Sequence, residues 1–576
     1  MKYLFVISYL VFFVGLVVFK KTDKKINIIR YLVLQVIITM IFSVMLMTLL
    51  FLFGSGTNLM FVSSILGILG LILIFLTIKR KDVQKYEFKW IDLVATVLIM
   101  MAAVLVSIKL FGTDLHIAYN NADPAAHFYM AQNNLINQSH SGMYYYEVNN
   151  ALLMNGLSLF TNSVFSNYKL YLIIEIWMFA LSGLTLYVLI VEFASSNFRR
   201  GLCALLSVLY MLGYSLNNMI FGFGYLGVAV TLICFLMIVC KKLWDGKINL
   251  KVFVPLMAMG VLSLALCYML FAPAIWILVF TVVLVYCRKK KMDLKKIIVV
   301  ELGVFAVPFV VALKFCFFDF FLATNLSVSE QLRALGGAYE NYITNFIIII
   351  PIGLFAIIQN VRKKKHFVST LFVVGWISFV VLAAIAKQMD LISPYYFLKT
   401  YYVMWLMAFV IFADGMMQLM NLCTKFAGAY FAIMIGMVVV APFANGNPLV
   451  DVYEYNFRWL AFHDVIGAET MKAYRYATNE IVEKGERITW VTNITQYGRA
   501  FWFYAMQAMI ANECDYCQPW NYNEKELVNV LKDADVKYAG IYKFDPGSYS
   551  SSINILKKGK VVFETSEIAI YELELK

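Results

Sequence analysis

Charged side chains are scarce in this 576-residue chain, since Asp, Glu, Lys and Arg together make up only 14% of it. Soluble proteins carry about 25% charged and about 45–50% apolar residues, whereas 62% of this chain is apolar. This shortage of charge excludes a cytosolic enzyme, a disordered chain and a nucleic-acid-binding module. The composition therefore predicts an α-helical polytopic membrane protein.

Acidic residues are scarcer than basic ones, and the basic excess is unevenly distributed. The formal net charge is +13, yet the tail from residue 445 onward carries 14 Lys or Arg against 18 Asp or Glu. The remainder holds 34 basic and 17 acidic residues, so the whole positive excess lies in the hydrophobic part. Such an excess marks the orientation of membrane spans, and we expect membrane lipids but no nucleic acid as partners.

Long apolar segments of about 17–25 residues, each long enough to cross a bilayer, recur along the chain. About fourteen spans are predicted, at residues 3–19, 30–53, 58–78, 91–111, 169–194, 201–218, 222–240, 252–268, 270–287, 297–322, 343–360, 367–386, 395–415 and 426–443. Six basic clusters fall in alternate loops between them, at Lys20–Lys25, Lys79–Lys81, Arg199–Arg200, Lys241–Lys242, Arg288–Lys291 and Arg362–Lys365. By the positive-inside rule these loops are cytoplasmic. The prediction is a multi-pass plasma-membrane protein with both termini extracytoplasmic.

Two large non-membrane segments are predicted on the outer side, the loop 112–168 and the tail 444–576. The chain is thus divided into a transmembrane domain, 1–443, and a small extracytoplasmic α/β domain, 444–576. In the tail, helices are predicted at 461–484 and 524–533. Strands are predicted at Ile488–Thr492, Lys537–Tyr542, Val561–Glu564 and Ile568–Leu573. No inverted repeat is recognisable, which counts modestly against a secondary transporter.

The loop 112–168 lacks Lys and Arg but holds three of the five histidines and several acidic residues. Asp123-Pro124 predicts a helix start, because Asp suits an N-cap and Pro the first helical position. His127 follows one turn later on an amphipathic helix. An acidic cluster near outer span ends can position a divalent cation or deprotonate a hydroxyl. Alternatively, Asp123 is only a cap and His127 a solvated surface histidine.

These features resemble the GT-C superfamily of polytopic membrane glycosyltransferases. The motif Asp123-Pro-Ala-Ala-His127 is similar to the Asp-x-x-x-His pattern in the first large outer loop of bacterial members, and the tail segments LKDADVKYAGIYKF and VVFETSEIAIYELE look like the ends of such proteins. The resemblance implies transfer of a hexosyl or pentosyl group from a polyprenyl-phosphate-linked sugar donor to a glycan, lipid or protein acceptor outside the cytoplasm. In members of that superfamily the acidic loop typically follows the first span, whereas three further spans precede it in this chain. The loop has no Asp-x-Asp or Glu-x-Asp motif, so the need for a divalent cation stays an open question.

Other outer-face residues are candidates for binding the substrate. The resemblance implies a donor-phosphate role for Lys399 or Lys387 near the outer start of the span 395–415, and snorkelling to lipid headgroups is the alternative. Arg333 lies in the polar outer loop 327–345, which either closes over a substrate or simply connects two spans.

Ionisable residues at membrane depth are costly and are by default functional candidates. Glu175 and Asp319 lie near the outer ends of their spans, so either could face the same cavity as Asp123. In the alternative interpretation, Lys314 and Asp319 form a structural pair.

The sequence thus predicts an inverting membrane glycosyltransferase in which a base removes the acceptor proton while cations stabilise the departing phosphate. Asp123 and His127 are the predicted catalytic residues. A transporter or flippase of lipid-linked sugars, and a polysaccharide polymerase or ligase, are the alternatives.

Overall fold

A computed structural model of the chain describes most of its residues. These are residues 2–19, 25–52, 59–80, 85–118, 123–137, 146–158, 163–314, 318, 330, 332–334, 336–340, 343–444, 446–463, 465–491, 498–511, 515–517, 521–543 and 553–574. The helices of the hydrophobic part are α1 (Lys2–Phe19), α2 (Ile28–Leu52), α3 (Leu59–Arg80), α4 (Trp90–Phe111), α5 (Asp123–Ile136), α6 (Tyr146–Leu157), α7 (Asn167–Ile190), α8 (Asn197–Tyr210), α9 (Leu216–Phe221), α10 (Gly224–Trp244), α11 (Leu250–Cys267), α12 (Ala272–Lys289), α13 (Leu294–Ala312), α14 (Ile350–Lys363), α15 (Phe367–Gln388), α16 (Pro394–Leu422) and α17 (Thr424–Val440).

Eleven helical segments in the part of the chain that the structure describes are long and apolar enough to cross a membrane. Each of the fourteen predicted spans contains a helix, but three of these helices fall short. α1 offers only the apolar segment Tyr3–Phe19, α13 carries three charged residues, and α14 is 14 residues long. At 1.5 Å per residue, α14 extends about 21 Å, less than the roughly 30 Å hydrocarbon core. The polytopic helical architecture is confirmed, whereas the count of fourteen spans is not.

Salt bridges and hydrogen bonds draw several basic loops together at one end of the helix bundle. Asp92, at the start of α4, is fully buried and accepts hydrogen bonds from Asn27 Nδ2 at 2.7 Å and from the Tyr187 hydroxyl at 2.5 Å. Arg30 Nε lies 3.4 Å from the same carboxylate, and Arg30 Nη1 is 3.0 Å from Glu192 Oε1 after α7. The side of the membrane on which this end lies stays a prediction.

The tail beyond residue 444 contains five helices and a mixed sheet within the described residues. The helices are α18 (Asp451–Ala461), α19 (Ala468–Glu480), α20 (Gly498–Met506), α21 (Glu524–Asp533) and α22 (Ile553–Leu556). The strands of the chain are β1 (Ile26–Asn27), β2 (Tyr86–Glu87), β3 (Ile117–Ala118), β4 (Val465–Ile466), β5 (Arg487–Val491), β6 (Tyr516–Cys517), β7 (Val536–Tyr542), β8 (Lys560–Glu564) and β9 (Ile568–Glu572). The sheet has the order β6-β5-β7-β9-β8, in which β6, β5 and β7 are parallel and β9 is antiparallel to both of its neighbours.

The four predicted strands of the tail coincide with β5, β7, β8 and β9 to within a residue at each end, and the predicted helix 524–533 is α21. The predicted helix 461–484 is wrong at its start. Val465–Ile466 instead form β4, which pairs antiparallel with β3 in the loop after α4. Pairing with a distant strand overrides the local helical pattern there.

The tail packs directly on the helix bundle. Tyr474, Trp490 and Phe503 belong to the same continuous apolar core as the bundle, whereas a second, smaller core lies between the sheet and α21. Residue 444 therefore does not separate two cores, and the independence of the region 444–576 as a domain stays a prediction.

One membrane-spanning segment, Asn197–Phe221, is interrupted and is held by the tail. A π-helical turn, Met211–Ser215, separates α8 from α9, and Gly213 within it has non-helical angles of φ −86° and ψ −123°. Asn456, on α18, donates from Nδ2 to the carbonyl oxygens of Leu212 and Gly213, each at 2.8 Å. A helix interrupted at membrane depth needs such replacement partners, so α18 stabilises the break.

Candidate active site

Helix α5 carries the Asp123–His127 motif, and it begins at Asp123 as the Asp-Pro pattern predicts. The tail covers this helix, since the ring of Phe128 lies 5.2 Å from that of Trp502 on α20. Only 5% of His127 is exposed. The interpretation of His127 as a solvated surface histidine is therefore wrong.

Two buried carboxyl groups lie behind His127. Nδ1 of His127 is 2.9 Å from Oε1 of Glu147, which is on α6 and has 0% of its side chain exposed. Asn150, one turn further along α6, donates from Nδ2 to Oε2 of Glu147 at 3.1 Å and to Oε1 of Glu175 at 3.4 Å. Because Glu175 lies on α7, one polar row connects the imidazole, both carboxyl groups and the amide across three helices.

A buried lysine lies beside this row. Lys399, on α16, is 2% exposed, and its Nζ donates to the hydroxyls of Tyr225 at 2.7 Å and Tyr395 at 2.5 Å. The rings of Phe223 and Tyr395 lie 4.5 and 3.9 Å from Nζ, a cation–π arrangement that stabilises a desolvated charge. The ring of Tyr225 is also 4.7 Å from the imidazole of His127, so Tyr225 joins the lysine to the polar row.

The carboxylate of Asp123 acts electrostatically on this cluster. Burial lowers the pKa of His127 to about 4, a shift that Asp123 opposes and Lys399 increases. Asp123 also lies within electrostatic range of Lys399 itself. Burial raises the pKa of Glu147 to about 8, although two hydrogen bonds oppose that shift. Strongly perturbed ionisable groups gathered in one buried place are typical of catalytic sites.

A glycine fixes the position at which α5 begins. Gly222 follows α9 in the left-handed conformation, with φ +72°, and a Cβ atom there would lie 2.2 Å from Cγ of Pro124. The turn is closed by a hydrogen bond from the backbone nitrogen of Phe223 to the carbonyl oxygen of Asn218 at 2.7 Å. The connection between α9 and α10 thus contacts Pro124 closely and positions the neighbouring Asp123.

The structure brings together four of the predicted site residues, namely Asp123, His127, Glu175 and Lys399. Lys387 instead lies over the ring of Phe397, at 5.2 Å from its centre. Arg333 is exposed, in a short segment next to the start of α16. Asp319 lies outside the described residues.

The sequence interpretation missed four members of the cluster, which are Glu147, Asn150, Tyr225 and Tyr395. Glu147 lies in the same loop, free of basic residues, as Asp123, and its spacing of three from Asn150 places both on one helix face. That spacing was the available signal. Nothing in the sequence distinguishes the two tyrosines from the 36 in the chain, because only the tertiary fold brings them to Lys399.

A metal site is not formed by the side chains that the structure describes. Within those ranges, no group of three or more His, Cys, Asp or Glu side chains is placed to hold a metal ion. Whether a divalent cation takes part stays an open question.

Comparison with known proteins gives a distant likeness in fold only. No family model matches the sequence, and no curated protein matches it. Among solved structures, the chain is similar to the archaeal oligosaccharyltransferase AglB from Archaeoglobus fulgidus in complex with an inhibitory peptide and a dolichol-phosphate, at 13% identity and a TM-score of 0.44 over 79% of this chain and 70% of that one. It is also similar to the Archaeoglobus fulgidus oligosaccharyltransferase in complex with Zn and sulfate, at 13% identity and a TM-score of 0.42 over 78% and 68% of the two chains. The apo form of that enzyme gives 13% identity and a TM-score of 0.40 over 78% and 69%. Likenesses this weak carry no argument about function.

Proposed function

We propose that this protein is a membrane glycosyltransferase that moves a sugar from a polyprenyl-phosphate donor to an acceptor outside the cytoplasm. The observation that carries the proposal is the convergence of Asp123 and His127 with Lys399, which is far from them in the sequence, in one cluster. A base for an acceptor hydroxyl and a cation for a departing phosphate are the groups that this transfer requires.

Asp123 is the proposed general base, and His127 the residue that orients it. Asp123 would accept the proton of the acceptor hydroxyl while the hydroxyl oxygen forms a bond to the anomeric carbon of the sugar. The bond between that carbon and the phosphate oxygen breaks, and its electron pair leaves with the polyprenyl phosphate. Attack from the face opposite the phosphate would invert the configuration, and Lys399 would offset the charge that develops on the phosphate.

The enclosure of Lys399 requires a movement when the donor binds. Tyr395 accepts a hydrogen bond from Nζ, so a phosphate would reach the cation after Tyr395 turns away. Gly336 packs against this tyrosine, since a Cβ atom at Gly336 would lie 2.8 Å from Cε2 of the ring. Arg333 lies three residues before Gly336, and its part in substrate binding stays a prediction.

We further propose that the cluster faces the outer side of the plasma membrane. The helices α7 and α16 carry Glu175 and Lys399 toward one end, whereas their other ends adjoin Glu192 and Arg199 in the basic loops. The positive-inside rule would make the basic end cytoplasmic. The tail covers α5, so the region 444–576 would lie outside as well, with a surface glycan, lipid or protein as acceptor.

The proposal is tested by replacing Asp123→Asn, because asparagine still caps a helix but is not a base. Purified protein would transfer sugar from synthetic polyprenyl-phosphate sugars to glycan isolated from cells that lack the protein. We expect the variant to fold normally and to lose at least about a hundredfold in transfer rate, the usual scale for a general base. Asp114→Asn is the matched control, since Asp114 is an exposed carboxylate of the same loop. Near-normal transfer by Asp123→Asn would remove the assignment.

A further inference from the structure

The carboxyl group of Glu147 has no part in the proposed transfer, yet it is the group that contacts His127. We propose that Glu147 is a carboxylic acid at neutral pH and a positioning residue, which donates a hydrogen bond to Nδ1 of His127 and so keeps the remaining imidazole proton on Nε2. This inference rests on the proposed function only in assigning His127 a part in catalysis. The protonation of Glu147 is a separate claim with its own measurement.

The two side chains lie close enough to share one proton. Oε1 of Glu147 and Nδ1 of His127 are 2.9 Å apart, a separation at which one proton placed between the two atoms would form a hydrogen bond. Oε2 already accepts from Asn150 Nδ2, so Oε1 is the oxygen that can carry the proton. The proton belongs either to the carboxyl group, leaving both side chains neutral, or to the imidazole. In the second case Glu147 is a buried carboxylate, beside either an imidazolium or a neutral imidazole protonated at Nδ1.

Burial favours the neutral pair. Both side chains are almost fully enclosed, and desolvation penalises each charged form. Desolvation raises the pKa of Glu147 to about 8 and lowers the pKa of His127 to about 4. The carboxyl group therefore holds the proton more tightly than the imidazole does. Asp123 opposes the lowering of the pKa of His127 and Lys399 adds to it, so burial is the cause that decides the direction.

The neighbouring Glu175 adds to this preference. Its Oε1 shares the amide of Asn150 with Glu147, so two carboxylates here would repel each other at close range. The carboxyl of Glu175 lies against Gly224 at the amino end of α10. It also lines a cavity of about 30 Å³ with Asn218, whose buried Oδ1 has no hydrogen-bond partner among the described residues. Such a cavity is large enough for an ordered water.

The ionisable groups that face Glu147 and the histidine beside it come from four elements. They are His127 on α5, Tyr146 on α6, Tyr171 and Glu175 on α7, and Tyr225 on α10. Asp123 and Lys399 act on the pair through His127. Burial raises the pKa of Tyr146 well above its usual value.

The consequence for activity is a loss on the alkaline side. Above about pH 8 the raised pKa of Glu147 predicts that the acid loses its proton and can no longer donate to Nδ1. Glu147→Gln removes that titration, because a glutamine can donate to Nδ1 and accept from Asn150 at any pH. We expect Glu147→Ala to lose about ten- to a hundredfold in transfer rate, the scale for removing the partner that orients a histidine. Glu147→Gln should restore most of that loss and lack the alkaline decline of the wild-type enzyme.

A measurement that needs no substrate tests the protonation directly. Infrared spectra of the protein in lipid nanodiscs at pH 7 should contain a carboxylic-acid C=O band that is missing in Glu147→Gln, and in the wild-type protein this band should disappear as the pH rises beyond about 8. Glu454→Gln is the matched control, because Glu454 is also buried but lies 2.6 Å from Arg458 Nη2. This control should leave the acid band unchanged.

Two results would overturn the inference. One is an unchanged acid band in Glu147→Gln, which would mean that Glu147 is ionised. The other is a Glu147→Gln enzyme as slow as Glu147→Ala, which would mean that the carboxylate itself is required. A loss of the band in Glu147→Gln combined with normal transfer by Asp123→Asn would instead refute the proposed function and leave the protonation of Glu147 established.

Discussion

The contact between Gly222 and Pro124 allows the position of Asp123 to be changed without altering any residue of the proposed site. In Gly222→Ala, the new Cβ atom would lie 2.2 Å from Cγ of Pro124, 2.5 Å from Cδ and 2.9 Å from its backbone nitrogen. The proline ring is rigid and its nitrogen is backbone, so neither side can yield by a rotamer change. Ordinary van der Waals contact begins at 3.4 Å, so the start of α5 would have to move by about 1 Å. A displacement of that size in a catalytic group can lower the rate about a hundredfold.

A second effect of the substitution must be separated from this displacement. Gly222 has φ +72°, and an alanine in the left-handed conformation costs about 1–2 kcal/mol. Gly246→Ala is the matched control, because Gly246 has φ +68° but would bring its Cβ within 4 Å of no other atom. Both variants should therefore lose a similar amount of stability from the backbone, and only Gly222→Ala should also move Asp123.

The assay compares the thermal midpoint and the transfer rate of the two purified variants. We expect Gly246→Ala to keep the rate of the unmodified enzyme after its small loss of stability, and Gly222→Ala to be slower by about ten- to a hundredfold. Equal rates for the two variants would refute the reasoning, since they would show that the position of Pro124 does not matter for transfer.

Three further predictions concern other parts of the molecule. Lys399→Ala should slow donor use much more than Lys399→Arg, because a positive charge is what a phosphate requires, and equal rates would leave Lys399 a structural role. Asn456→Ala leaves two buried carbonyl groups without their hydrogen-bond donor, and each should cost about 1–3 kcal/mol of stability, measured by thermal unfolding. The control Asn421→Ala, at an exposed position, should have little effect. In intact cells an impermeant maleimide should label Ser550→Cys, while the exposed native Cys423 should react only after permeabilisation, and the reverse pattern would invert the proposed topology.

The helices of the membrane part could be predicted because their determinants are local. A span needs only enough consecutive apolar residues to cross the hydrocarbon core, and every predicted segment contains a helix. The number of spans was harder to predict, because the charged residues of α13 and the 14-residue length of α14 lie near the limits for a helix that crosses a membrane. The start of α5 could be predicted for the same reason as the spans, because Asp123 and Pro124 favour a helix start through the backbone of its first turn.

The candidate site could be predicted only in part, because its contacts are made between distant elements. The loop without Lys or Arg identified Asp123 and His127, but the ring of Tyr225, which packs against His127, belongs to α10 and comes nearly 100 residues later. Lys399 was expected at an accessible span end, and the tertiary fold encloses it instead. The same reason explains the wrong helix at 461–484, where pairing with β3 decides the conformation of Val465–Ile466.

The enclosure of Lys399 is consistent with the proposed reaction once the energies of its partners are compared. In the structure Nζ has two neutral tyrosine hydroxyls and several aromatic rings, each a weaker partner than an anion. A donor phosphate that replaced Tyr395 would form a charge-assisted hydrogen bond in surroundings from which water is excluded, where electrostatic interactions are strong. As the sugar departs, negative charge on the leaving oxygen grows, and the attraction to Lys399 grows with it. The interaction would then be stronger in the transition state than in the bound donor, which is the condition for it to raise the rate and not only the affinity.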